Sequence, residues 1–332
     1  MPWEPQSEYL SGLRGVYADP AASERLTQYL LLQGQAPDGG TTCRRYGLVG
    51  SGAGKLWPVW DTIDRVFPGS LPASAQTRGD CVAHSTRNAC LGTLACEIAA
   101  GKPDEITGLV EGAPAISEAA RKDGVLSTEA IYWFRGHGGD GWSCDHAAEV
   151  VLKESGLWLR QRYERLGIDL TKYDGSLAGK WGSSKPPAEV RSIGSEHLVR
   201  TATRARTFEE VRDLLANGYC ISSCGSEAFS STRDSNGFAR RSSATWHHAM
   251  AYLGVDDRPE IIQAYGEPLV MVQNSWNQWN SGGRSVLGTQ LEIPHGGFWA
   301  KWSDLKARYC IAFSGVVGWP PQQLQSWTGG AL

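Results

Sequence analysis

The stretch QTRGDCVAHSTRNAC, Gln76 to Cys90, places a cysteine directly after a Gly-Asp turn and at the head of an apolar-periodic run. The periodicity continues to Ala100, Gly101 supplies a C-terminal stop and Pro103 follows, so the pattern predicts a helix over 81–100. A thiol in the first turn of a helix meets unpaired backbone N–H groups and the positive end of the helix dipole, and both favour the thiolate. Taken alone, the arrangement reads more readily as a core cysteine on an apolar face. A nucleophile needs a base and a third group that orients the base, so the rest of the chain decides between the two readings.

Two segments carry those residue types. WHHAMAYLGVDD, Trp246 to Asp257, is a strand of small and apolar residues behind a histidine pair. Adjacent strand residues point to opposite faces, so only one of His247 and His248 faces a given site. PLVMVQNSWNQWNSGG, Pro268 to Gly283, delivers Asn274 at a strand end, followed by Ser275 and Trp276. An Asn carbonyl can accept a hydrogen bond from one imidazole nitrogen and leave the other facing a thiol, while a Trp beside it excludes water. The plainer reading is a turn Asn beside an aromatic cluster.

The intervening chain reads as helices first and strands second. Ser23 caps a helix through ERLTQYLLLQ, STEAIYWF (127–134) and CDHAAEVVLKES (144–155) are helical, and Thr207 with Glu210 forms a capping box for FEEVRDLLAN. Residues 159–200 read as a polar crossover loop. YCISS, WHHAMAYLGV, PLVMVQN, GFWAKW and GVVGW then read as strands. That order predicts an α+β fold in which a helical part and a strand-rich part meet at a seam. We divide the chain into an N-terminal extension, 1–56, read as a docking arm or a short inhibitory segment, and a domain, 57–332.

Composition sets the outer limits. At 332 residues, 41% hydrophobic and 20% charged, the chain can bury a full core. A net charge of −3 gives no electrostatic reason to expect nucleic acid or a membrane surface. No run is long and apolar enough for a membrane span, and MPWEPQSEYLSGLRG does not read as a signal peptide, so a cytoplasmic or particle-associated protein is expected. The eight cysteines lack C-x-x-C pairs and finger-spaced histidines, which argues for mostly reduced thiols and against a structural metal. LVGSGAGKLW fails the spacing of a phosphate loop, and RGD at 78–80 reads as a turn.

Taken together, Gln76, GDC at 79–81, HA at 248–249 and NSW at 274–276 resemble the papain-like cysteine peptidase family in order and spacing. GDGWSCDHAAEVVLKESGLW is similar to that family's glycine loop and following helix, and GGFWAKW to its late strand; the resemblance spans roughly residues 57–317. It implies a two-subdomain fold, helical and barrel-like, with the active site in the cleft between them. It further implies that Cys81 attacks a peptide carbonyl, His248 is the base, and Asn274 orients the imidazole beneath Trp276. Gln76 and the Cys81 N–H would hold the oxyanion. Gly141, Trp142, Trp246 and Ala249 would line the substrate cleft, with no metal or organic cofactor and a peptide or protein as substrate. The chain departs from the pattern at Val82, His84, Trp142 and Asn277, and Gln76 stands one residue nearer the cysteine than usual. Two rival readings are a cell-wall Cys/His amidase or endopeptidase, and a catalytically weak structural or binding module, such as a virus-particle component, that keeps the fold.

Overall fold

The computed structural model describes residues 15–101 and 121–326; Pro103 and the first fourteen residues lie outside them. In chain order, helices α1 (Pro20–Leu32) and α2 (Gly39–Arg45) precede a two-residue strand β1 (Leu56–Trp57). Helix α3 (Val59–Val66) leads to the long helix α4 (Cys81–Ala99), and α5 (Thr128–Trp133) and α6 (Cys144–Lys153) follow. A small hairpin, β2 (Arg162–Tyr163) and β3 (Ile168–Asp169), comes before α7 (Gly175–Gly182) and α8 (Ala188–Ser195). The strand-rich half holds β4 (Thr201–Ala205), α9 (Phe208–Ala216), β5 (Ile221–Arg233), β6 (Ala239–Asp256) and α10 (Pro259–Tyr265). It closes with β7 (Leu269–Gln273), β8 (Gly297–Lys301), α11 (Trp302–Leu305) and β9 (Tyr309–Ser314). The expected α+β division, helices first and an antiparallel sheet second, is what the chain forms.

The large sheet runs β4-β9-β5-β6-β7-β8, with every pairing antiparallel. Strand β6 is its spine: it pairs with β5 on one side and β7 on the other, and its far end takes β1 through Leu56↔Asp256. Helix α4 lies against β5, β6 and β9 and is buried along Cys81–Glu97, on every side rather than along one stripe. Its polar side chains therefore need partners inside the protein. Thr93 Oγ1 donates to Phe313 O at 3.1 Å and accepts from Cys220 N at 3.0 Å, and Ser85 bonds Ser222 at 2.8 Å. Near the other end of the helix, Glu97 accepts from the Gly315 and Val316 amides at 3.1 and 3.0 Å. These bonds tie the helix to the sheet at fixed points, and its first residue is fixed with it.

Several expectations change. The first helix starts at Pro20, with Asp19 rather than Ser23 as its cap: Asp19 accepts from Ala22 N at 2.9 Å, and Pro20 suits the first helical position. The 159–200 segment is not one loop but carries β2, β3, α7 and α8. GVVGW is not a strand; the strand is YCIAFS before it, paired to both β4 and β5. The Thr207 cap forms as expected, accepting from Glu210 N at 3.2 Å, while the Glu210 carboxylate reaches back to Arg206 N. The glycine loop near 50 is no phosphate cradle, because the Gly50 and Gly52 amides donate to Asp213. From Gly15 to residue 56 the proposed extension packs on the rest of the chain: Leu26, Leu30, Cys43 and Leu48 belong to the common core.

Six cysteines are free and buried, and Cys144 is bonded to Cys224, eighty residues away. This bond joins the first residue of α6 to the first part of β5, and so ties the helical half to the sheet. Alkylation after denaturation should modify six thiols without reductant and eight with it. Replacing both Cys144 and Cys224 by Ser should lower the unfolding free energy by roughly 2–4 kcal/mol in urea titrations. Eight thiols without reductant would mean that the bond is not present in the folded protein.

Candidate active site

The three segments that point to chemistry in the sequence meet at the seam between α4 and the sheet. Cys81 is the first residue of α4, behind Asp80, and is 1% exposed. His248 and Ala249 lie in β6, and the Ala249 N–H points at the Cys81 sulfur. Asn274 follows the last residue of β7 and brings its side chain to the same histidine.

The Asn274 carboxamide fixes the imidazole's tautomer. Asn274 Oδ1 accepts from the Ser275 backbone N–H at 2.7 Å, so this end of the amide is the oxygen. His248 Nε2 lies 2.7 Å from the same oxygen and must therefore be the protonated nitrogen. Nδ1 is then left with a free lone pair. Trp276 stacks on the imidazole with centroids 4.5 Å apart and planes 23° from parallel. Trp246 stands edge-on to the same ring at 6.2 Å, and Trp279 packs against both tryptophans. This aromatic cap keeps water from the His248–Asn274 bond. Trp246 is thereby committed to the cap.

Of the histidine pair, His248 is buried and His247 is exposed. The pair thus faces opposite ways, as adjacent strand residues do, and from His248 to Asp256 every residue is buried because both faces of the strand are covered. His247 has a left-handed backbone (φ 44°), and the β5–β6 register shifts just beyond Gly225↔His248. The strand is kinked locally, in the way a β-bulge kinks one.

Gln76 is buried and already engaged. Its Nε2 donates to Arg78 O at 2.7 Å, its Oε1 accepts from Ser275 Oγ, and its backbone N–H donates to Ser275 O at 2.8 Å. It staples the loop before Cys81 to the loop after Asn274, leaving one amide hydrogen for any further donation. Gly141, at φ 89°, donates to Gly79 O at 3.0 Å and so sits beside the GDC turn.

Residues 15–17 lie beside Trp142 and over the thiol. Val16 pairs with Trp142 in a parallel bridge: Trp142 N donates to Gly15 O at 3.1 Å, and Tyr17 N donates to Trp142 O at 3.2 Å. Gly15 O also receives the Cys81 thiol at 3.5 Å. A side chain at position 15 would stand 2.7 Å from His247 O and 3.0 Å from Cys81 Sγ, so the approach requires glycine. A cavity of about 560 Å³ opens beside the arm, between Pro20 and Ser23 and the Cys144–Cys224 bond.

This covering decides the charges. Burial pushes the Cys81 thiol up to about 12 and Asp80 adds to the rise, against the opposing pull of the Ala249 and Val82 N–H groups. Burial pushes His248 down to about 3, with Arg308 and His84 acting in the same direction and the Asn274 bond opposing. Thiol and imidazole are both neutral under the arm, whatever the helix dipole favours in the open.

The sequence reading missed several neighbours. Asp80 Oδ2 accepts from Tyr173 OH at 2.9 Å and lies 3.5 Å from His84 Nε2, forming a buried polar group behind the thiol. Their spacing along α4 puts Asp80 and His84 on one face, which the sequence could have signalled; Tyr173 gave no such sign. No group of three or more His, Cys, Asp or Glu side chains able to hold a metal occurs among the described residues. None of the described helices is long and apolar enough to cross a membrane.

No family model matches the chain, and no curated protein matches it. Solved structures of similar fold are cysteine proteases. Xylellain from Xylella fastidiosa is 14% identical, with a TM-score of 0.47 over 77% of this chain and 90% of its own. The proform of the Amb a 11 cysteine protease of ragweed pollen is also 14% identical, with a TM-score of 0.48 over 88% and 74%. ProCathepsin B S9 from Trypanosoma congolense is 12% identical, with a TM-score of 0.45 over 79% and 76%.

A buried neutral His248 makes stability depend on pH. Its folded value lies below the ordinary one of about 6.5, so its contribution is whole above pH ~6.5 and is lost as pH falls toward 3. The urea midpoint should drop over this window, and His248→Gln should remove part of the slope. An unchanged slope in that variant would place the titration elsewhere.

Proposed function

We propose that the protein is a papain-like cysteine peptidase held latent by its own N-terminal arm. What supports this reading is the His248–Asn274 bond, which leaves the imidazole's other nitrogen free, beside a helix-start thiol approached by the N–H of the next residue, Ala249. With a peptide in place of the arm, Cys81 attacks the carbonyl carbon as His248 Nδ1 takes the thiol proton. The oxyanion forms near the Cys81 N–H at the start of α4, where an amide donor is worth about 3 kcal/mol, and the remaining Gln76 amide hydrogen is the candidate second donor. The imidazolium then gives its proton to the leaving amine, and water releases the acyl group from sulfur by the reverse sequence. Asn274 holds the ring in the required tautomer throughout. Gly141 and Trp142 line the cleft, and the bonds that Trp142 makes with Gly15 and Tyr17 stand in for those a substrate backbone would make.

The experiment is labelling with an epoxide or vinyl-sulfone thiol-protease probe, together with turnover of casein and of purified peptidoglycan. With the arm displaced by Gly15→Val, stoichiometric labelling of Cys81 and casein hydrolysis are expected, both lost when Cys81→Ala or His248→Ala is added but retained with His247→Ala. Activity on peptidoglycan alone would favour a cell-wall hydrolase, and no labelling at all would favour a structural module. Asn274→Ala should lower kcat by about 10- to 100-fold, roughly 1.4–2.7 kcal/mol, with a smaller change in KM.

The latency part is tested at Gly15. A side chain there collides with His247 O and Cys81 Sγ, so Gly15→Val should lift the arm and speed Cys81 alkylation at least several-fold. Slower or equal alkylation would mean that the arm does not guard the thiol.

A further inference from the structure

The base sits on a kinked strand, and a buried guanidinium holds that kink. Arg308 precedes β9, and its side chain is wholly buried. Nη2 donates to the His248 carbonyl at 2.6 Å and to Ser223 O at 3.0 Å, and Nε donates to Ser223 Oγ at 2.8 Å. Nη1 lies 3.2 Å from the Glu227 carboxylate, which supplies the counter-charge. The fork thus spans β5 and β6 where their ladder shifts register, opposite the left-handed residue His247. Gly225, the register partner of His248, makes the room. A Cβ there would stand 2.4 Å from Glu227 Oε2 and 2.6 Å from Arg308 Cγ.

From this geometry we propose that the Arg308–Glu227 pair is a positioning device for the base, holding the His248 backbone so that its imidazole meets both Asn274 and the thiol. The inference rests on the reading of His248 as base. A guanidinium suits the task because its planar donors reach the carbonyls of two strands and a carboxylate at once, which an ammonium cannot do. Its charge also bears on the chemistry: it lowers the titration of both Cys81 and His248, the latter together with His84. A sheet-stabilising ion pair would need neither the bond to the base's own carbonyl nor this proximity.

The test compares two variants of the full chain, each carrying Gly15→Val to displace the arm, with Gly15→Val alone as the parent. Removing Arg308 alone would strand a buried carboxylate, so Arg308→Met is combined with Glu227→Gln to leave no unpaired charge. Arg308→Lys keeps the charge and loses the fork. Peptide hydrolysis and the His248 ring signals in ¹H–¹⁵N spectra are followed against pH. The double variant is expected to lose about tenfold in kcat with KM within about twofold, and to titrate His248 at higher pH with a mixed tautomer. The lysine variant is expected to lose kcat while its His248 titration stays near the parent's. A folded double variant with parental kcat and parental His248 titration overturns the inference and leaves the peptidase reading standing. If the parent hydrolyses nothing yet the double variant still shifts the His248 signals, the positioning role stands and the peptidase reading falls.

Discussion

Helix α4 is surrounded by protein over almost its whole length, so neither its position nor its rotation can change without disturbing the sheet behind it. Hydrogen bonds from Ser85, Thr93 and Glu97 register it against β5, β9 and the chain beyond β9. Because the first residue of this helix is the thiol, the register of the helix is also the register of the nucleophile candidate. His248, the proposed base, is fixed from the sheet side by an equally buried set of contacts: Asn274 at the ring, Trp276 over its face and Arg308 at its carbonyl. Gln76 then ties the two sides together through Ser275. For the proposed chemistry, preorganisation of this kind would remove the entropic cost of assembling the groups.

The same burial governs the electrostatics. A thiol and an imidazole out of water both resist charge; Gly15 covers the thiol and the tryptophan cap covers the imidazole. Asp80, placed directly before the thiol, further disfavours the thiolate. Its carboxylate is held by Tyr173 rather than by the first turn of its own helix. The covered state is therefore electrically quiet, and the proposed chemistry requires the arm to leave.

Some of this was legible in the residues themselves. The head of α4, the capping of α9 by Thr207 and the strand leading to Asn274 are local, set by hydrogen bonds and periodicities a few residues apart. Helices before strands gave the α+β division for the same reason. Where the reading failed, the deciding contact was distant or the local signals competed. Asp19 displaced Ser23 as a cap because Pro20 already fixes the first helical turn. GVVGW lost to YCIAFS because strand identity depends on having β4 and β5 as partners.

By itself the sequence determined which residue types stood at a helix start, in a strand and at a strand end, because short-range backbone and capping physics act on neighbours. It also placed a glycine at position 15, without saying why. Only the tertiary structure set the backbone of the histidine pair, where His247 is left-handed and exposed, His248 is buried against Asn274 and Trp276, and the β5–β6 register shifts. It alone paired Cys144 with Cys224 across eighty residues. It also brought Arg308 to the base's carbonyl and laid Gly15 on the sulfur. Each of these contacts joins groups far apart in the chain, and only close packing of the two halves brings them within bonding distance.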